Sequence, residues 1–351
     1  DRKVRWTRVS VPIAVTAVTL IGMLYAVDMA ALAETMDGVD YGLLALAALK
    51  VPIQVFLWTL RWHLVILSRD FQVSFKHTFM AVIVRGFFNN LTPGAGTGGE
   101  PIGAYYLSLK SKLSFKQTMA STASERLCQG LVFVGIVVIT GIIVVPFLPV
   151  SSSIIWTILA GAGFFCIFVI LMVYLSIYNF RYGRSVVTFI IRAIAWLIPP
   201  LRRRWDLTSL DDHVDEWHGE FRAFFVNRKA VFWVTVLSLI NWGFDLAQPY
   251  FIFKALHVEV PIWLIIMNAT ILRIGGIFAI IPGGAGMMEG LNVALYAGLS
   301  SIPAEAIVAE TIIFRALDAW LLWFASGLLT SIGLSSLTAE LTKSKVVQEA
   351  E

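Results

Sequence analysis

The stretch Asn89-Asn90-Leu91-Thr92-Pro93-Gly94-Ala95-Gly96-Thr97-Gly98-Gly99-Glu100 interrupts one apolar region, 75–109. A second stretch, Phe278-Ala279-Ile280-Ile281-Pro282-Gly283-Gly284-Ala285-Gly286-Met287-Met288-Glu289, interrupts another, 262–298. The two share a layout. Pro93 and Pro282, Gly94 and Gly283, and Glu100 and Glu289 are each 189 positions apart, as are Gly86 and Gly275, and Arg126 and Arg315. Pro removes a backbone donor and stops a helix, and Gly permits turns closed to other residues. Each stretch therefore predicts a break in a helical hairpin, the alternative being a simple kink in an ordinary span.

The residues around these breaks set the class. Of 351 residues, 58% are hydrophobic and 14% charged, where soluble domains average about 25% charged. That excludes a soluble globular enzyme, a disordered chain and a secreted disulfide scaffold. Runs long enough to cross the hydrocarbon core, about 20 residues, occupy 9–27, 41–67, 117–147, 153–178, 230–254 and 306–336. The expected fold is an all-α polytopic membrane protein. The stretch 186–198 is too short to span, contains Arg192 and precedes Pro199-Pro200, which fits an interfacial helix. The first run lacks a small-residue cleavage site and reads as a true span.

Lys and Arg positions orient the spans. Arg2, Lys3, Arg5 and Arg8 precede the first run, whereas 28–40 has Asp28, Glu34, Asp37 and Asp40 and no basic residue. Arg69, Lys76, Lys110, Lys112 and Lys116 flank the first hairpin, and 179–229 is strongly basic at both ends. Loops 148–152, 255–261 and 299–305 are poor in basic residues. The pattern alternates without a fault if both broken hairpins enter and leave on one side. This predicts six crossings, with both termini cytoplasmic. Within the insertion, Leu210, Val214, Trp217, Phe221, Phe224 and Phe225 recur at helical spacing, as in an amphipathic helix lying on the membrane or the bundle.

Shifted by 189, span 41–67 falls on the fifth span and 117–147 on the sixth. The chain thus reads as two repeats, 1–150 and 151–340, with hairpins 75–109 and 262–298, followed by a cytoplasmic tail, 341–351. Three crossings separate equivalent elements, so the repeat is expected to be inverted and the Pro-Gly tips to meet near the midplane. Irregular backbone at that depth needs protein or a watery cavity around it. The helix N-termini beyond each tip carry positive dipole ends suited to an anionic group.

Ionisable residues inside a membrane mark function by default. The candidate substrate contacts are Asn89, Asn90, Thr92, Pro93, Gly94, Glu100, Tyr105 and Arg126 in the first half. Pro282, Gly283, Glu289, Arg315 and Asp318 are their counterparts in the second. Arg61, Arg85, Asp245 and Arg273 are candidates for coupling or for lining a cavity, Asp245 sharing a polar helix face with Asn241 and Gln248. The symmetric Glu and Arg either neutralise one another or face a ligand, and Arg suits phosphate. No metal is expected, since the five His are scattered and Cys128 and Cys166 form no CxxC pair. The basic balance has its ordinary membrane explanation and implies no nucleic acid.

The run NNLTPGAGTGGEPIGAYYLSLKSKLSFKQTMASTASERL (89–127) resembles the signature of the lysylphosphatidylglycerol synthase transmembrane-region family, also called flippase-like integral membrane proteins. The likeness lies in the Asn before Thr92-Pro93-Gly94, in Gly99-Glu100, in Tyr105-Tyr106-Leu107 and in Glu125-Arg126. In the second half, IIPGGAGMMEG (280–290) with Arg315 and Asp318 resembles the family's later motif. Where many members have an Arg before Tyr-Tyr, this chain has Gly103-Ala104. The resemblance implies lipid translocation or lipid-linked sugar handling in a prokaryotic cell membrane. In multidomain relatives, aminoacyl transfer belongs to a separate soluble domain, which is not expected here because the sequence closes at Glu351.

The expected function is a lipid flippase or transporter for a phospholipid or lipid-linked anionic amphiphile. Its partners would be membrane lipids and, at most, further copies of the chain. No GxxxxGK[ST] loop is present, so direct ATP hydrolysis is not expected and no cofactor is implied. Movement would be downhill or coupled to protons through Glu100, Glu289 or Asp245. The alternatives are a secondary transporter for a small anion or metabolite, and an intramembrane lipid-modifying enzyme. The enzyme reading lacks an HExxH, a GxSxG or a clustered His-Asp set.

Overall fold

A chain in lipid must bond its own backbone, and the helix does so within one segment. The apolar runs accordingly fold as helices, and no strand occurs among the described residues. The structure is a computed structural model that describes residues 29–92, 98–147, 222–277, 279, 282–284 and 286–333, together with positions 164, 167, 170, 171, 174, 185 and 219. The expected spans 9–27 and 153–178, the segment 186–198, most of the insertion and the tail lie outside the described residues, those few positions apart.

Nine helices are described: α1 (Met29–Asp37), α2 (Tyr41–Leu67), α3 (Phe75–Leu91), α4 (Glu100–Lys110), α5 (Phe115–Val144), α6 (Arg228–Ala255), α7 (Ile262–Ile277), α8 (Met287–Leu299) and α9 (Ala304–Arg315). Beyond α9 a π-helical turn, Ala316–Leu321, continues into helix as far as Gly333. Local chemistry starts these helices where the sequence changes character. Asp40 Oδ1 caps α2 by accepting from the backbone N–H of Gly42 (2.8 Å) and Leu43 (3.1 Å). Ser114 and Gln117 form a reciprocal capping box at the start of α5.

Four helical stretches, Tyr41–Leu67, Phe115–Val144, Arg228–Ala255 and Ala304–Gly333, are long and apolar enough to cross a membrane. Their outward faces agree. Phe324, Leu328 and Ile332, one helical turn apart, are 68%, 66% and 57% exposed. In water such a stripe would be an association patch, and in lipid it is an ordinary surface. The hairpin helices are shorter. At about 1.5 Å per residue, α3 with 17 residues, α4 with 11, α7 with 16 and α8 with 13 each fall short of a core about 30 Å thick.

The chain packs as two compact units. The first comprises Asp1–Thr59, Ser74–Lys110 and Ile240–Glu351, and the second Leu60–Val73 and Ser111–Leu239. Each draws on segments before and after residue 150. The first unit holds both broken hairpins. Its core gathers Leu32, Val39, Ala47, Ile252, Ala255, Leu256, Ala309 and Ile313, and the backbone N–H of Asp40 donates to the Ala255 carbonyl (3.0 Å). The second unit is built on Val65, Cys128, Phe224, Phe225, Ala230 and Val234. Phe224 and Phe225 close the insertion, and their burial here is bundle packing. Cys128 is a buried apolar side chain, as its surroundings predict.

Candidate functional site

The first hairpin closes because glycine lets its arms touch. A Cβ on Gly99 would overlap the Arg85 carbonyl, and one on Gly103 would lie 2.8 Å from Arg85 Cβ and 2.9 Å from the Ala81 carbonyl. α3 and α4 therefore run antiparallel in close contact. The break between them is held by Asn89. Its Oδ1 accepts from the Gly99 backbone N–H (2.7 Å), and its Nδ2 donates to Glu100 Oε1 (3.2 Å). Glu100 also pairs with Arg85 at 3.4 Å, with both side chains buried. The carboxylate stands in the first turn of α4, where it complements the helix dipole. Asn90 and Thr92 turn back onto the carbonyls of Gly86 and Phe88.

The second break solves the same problem differently. Gly283, Gly284 and Gly286 take positive φ of 64°, 65° and 80°, the left-handed region that favours glycine. Glu289 Oε2 accepts from the Gly286 N–H (2.8 Å) at the start of α8. Its Oε1 meets Arg315 Nε at 2.6 Å, and Arg315 Nη2 donates to the Gly283 carbonyl (3.1 Å). The two breaks lie side by side within this unit, since a Cβ on Gly283 would stand 3.8 Å from the Asn90 carbonyl oxygen. At both, the positive end of the following helix faces the hairpin's own Glu.

One turn beyond Arg315, Asp318 sits in the π-helical turn and opens a second cluster. Lys50 of α2 pairs with Asp318 and, at 3.2 Å, with Asp245 of α6. Asp245 in turn meets Arg273 of α7 (3.6 Å), Asn241 (3.0 Å) and Gln54 (3.3 Å). Lys50 is 4% exposed and Asp245 14%, but Asp318 is 32% and Arg273 38% exposed. The cluster is thus a buried, charge-balanced centre with two accessible ends, one cationic and one anionic. Single π turns recur at functional positions.

Both breaks fall inside the part of the chain that matches a known family. The lysylphosphatidylglycerol synthase transmembrane region matches residues 9–326. The chain belongs to this family. It is similar to a UPF0104 membrane protein of Methanothermobacter thermautotrophicus, 24% identical over 86% of this chain and 89% of that one. A UPF0104 membrane protein of Pyrococcus horikoshii is 26% identical over 84% of this chain and 88% of its own. No solved structure matches significantly. Family and apolar helices together make this an integral membrane protein.

In this member of the lysylphosphatidylglycerol synthase transmembrane-region family, the first unit brings together Asn89, Asn90, Glu100 and Arg85 at one break. It brings Gly283, Glu289 and Arg315 together at the other, with Asp318, Asp245 and Arg273 in the adjoining cluster. Pro93 and Gly94 lie outside the described residues, as does the side chain of Pro282. Tyr105 is 55% exposed while Tyr106 is buried. Arg61 and Arg126 belong to the second unit. Arg61 pairs with Glu125 (3.2 Å), both fully buried, and Arg126 donates to Gln129 (2.9 Å). The equivalence at 189 positions therefore does not extend to partners, since Glu289 takes Arg315 and Glu100 takes Arg85. Sequence reasoning left Lys50 out of the site, although the structure sets it between Asp245 and Asp318.

Proposed function

We propose that the protein is a lipid flippase, moving a phospholipid or lipid-linked anionic amphiphile between leaflets without hydrolysing ATP. The observation that carries the proposal is the meeting of two broken half-length hairpins beside a charged cluster whose accessible ends are Arg273 and Asp318. A head group carrying phosphate would engage Arg273, and a polar or cationic portion Asp318, while the acyl chains stay in lipid. The family supports lipid as the cargo, being named for the membrane region of a lysylphosphatidylglycerol synthase.

In this reading both hairpins are re-entrant, because their helices are too short to cross. The two repeats are inverted, with tips near the midplane and both termini cytoplasmic. Glu100, Glu289 and Asn89 keep the breaks satisfied, and Asn90, Thr92 and Tyr105 are offered to the substrate. The protein performs no covalent chemistry on the lipid.

The test is reconstitution into vesicles carrying fluorescent lipids of several head groups. Exchange between leaflets should exceed that of empty vesicles for at least one anionic lipid and fall several-fold in Arg273→Ala. Equality with empty vesicles for every head group would sink the proposal. Uptake of a water-soluble anion without lipid exchange would replace it with the secondary-transporter reading.

A further inference from the structure

The first unit holds one buried acid that the charged cluster does not use. Glu310, on α9, is 1% exposed. Its carboxylate Oε2 accepts from Asn292 Nδ2 of α8 (2.8 Å), and the same amide nitrogen lies 2.9 Å from Thr311 Oγ1. Asn268 Nδ2 of α7 donates to Asn292 Oδ1 at 2.6 Å, and all three residues are at most 5% exposed. Three helices thus converge on Glu310 through neutral amides and a hydroxyl.

No cation answers this carboxyl among the described residues. The other buried acids described in the unit each have one, Arg85 for Glu100 and Arg315 for Glu289, and the largely buried Asp245 has Lys50 and Arg273. The titratable groups of the surrounding elements include Lys254 of α6 and His257 just beyond it, both exposed. Tyr296 of α8 is a buried phenol that faces Glu310 and Asn268 and stacks edge-on against Phe253 of α6. On α1, which packs against α9, Glu34 and Asp37 are exposed. Arg273 of α7, and Glu289 of α8 with Arg315 of α9, are engaged with the partners just named, and Glu305 opens α9 outside the network.

A lone ionised carboxylate in such a place is costly, and a single proton removes the cost. A cage for a metal cation would aim oxygens at the carboxylate, whereas here Asn292 aims its NH2 group. We infer that Glu310 is a proton-binding site that couples transport to a proton gradient, a deepening that rests on the transporter reading above. The proton is taken from water on one side and returned to water on the other. While it is bound, the neutral carboxyl leaves the contact between α8 and α9 dry. When it leaves, the bare carboxylate draws water into the contact and loosens α8, the helix that begins at the second break. Glu100, Glu289 and Asp245, the acids singled out by sequence, are charge-balanced already.

The experiment uses the full chain in vesicles with a fluorescent anionic phospholipid and a luminal pH dye. For the wild type, an imposed pH gradient should accelerate lipid exchange several-fold and move protons with it. Glu310→Gln keeps an acceptor for Asn292, and it should exchange lipid at the wild type's gradient-free rate with no response to the gradient. A retained response in Glu310→Gln, a wild type indifferent to the gradient, or a response to sodium in place of protons overturns the inference. Infrared difference spectra on the detergent-solubilised protein separate it from the transport reading. A protonated-carboxyl C=O band present in the wild type, missing in Glu310→Gln and shifted in Glu310→Asp supports the site even where no lipid moves. Absence of that band in the wild type overturns it.

Discussion

Arg315 serves two groups at once, the Glu289 carboxylate and the Gly283 carbonyl, and both belong to a break with no regular helix to satisfy it. Arg273 has the opposite situation, 38% exposed and bonded to an Asp245 that Lys50 also neutralises. Two arginines in one compact unit should therefore fail in different ways. Removing one partner of a buried pair costs about 3–5 kcal/mol because the other charge is stranded, whereas exposed pairs are worth about 1 kcal/mol or less. Arg315→Ala is expected to lower the thermal midpoint in detergent sharply, and adding Glu289→Gln should recover part of the loss. Arg273→Ala should melt near the wild type while losing transport. Equal destabilisation by the two substitutions would show that exposure does not separate structural from functional charges here.

The element that most constrains the architecture is the α3–α4 hairpin, and its closure is steric before it is electrostatic. Gly99 faces the backbone carbonyl of Arg85, which cannot step aside as a flexible side chain would. Gly86, on the same hairpin, has nothing within 4 Å of the place a Cβ would occupy. Gly99→Ala should therefore abolish the monodisperse peak in size-exclusion chromatography, and Gly86→Ala should leave it intact and gain slightly from better helix propensity. A normal peak for Gly99→Ala would mean that the hairpin tolerates wider spacing. The breaks themselves were legible in sequence, because Pro and Gly act through local backbone rules. That Asn89, ten residues before Gly99, is the residue bonding across the break was not, since the choice among neighbouring polar side chains is made by packing.

At the scale of the whole chain, hydrophobic runs and Pro-Gly breaks foretold the helices, four of the expected spans and the two interruptions, because length and polarity decide what lipid admits. Pairings across long separations stayed hidden. Lys50 and Asp318 lie 268 positions apart, and nothing local to either announces the other. The 189-position shift named equivalent residues but not their partners, as Glu100 and Glu289 demonstrate. Equivalence of sequence fixes which residues occupy matching helices, while ion pairs depend on what each helix packs against. The inverted arrangement therefore has to be judged on the backbone. In the proposed inverted arrangement, three crossings between repeats would place the loop after α4 and the loop after α8 on opposite sides of the membrane. Lys112 and Ser301 are exposed residues of those two loops. With Cys128 and Cys166 replaced by Ala, Ser301→Cys should react with a membrane-impermeant maleimide added to intact cells. Lys112→Cys should react only after the membrane is opened. Labelling of both from the same side would make the repeats parallel and overturn the inverted arrangement.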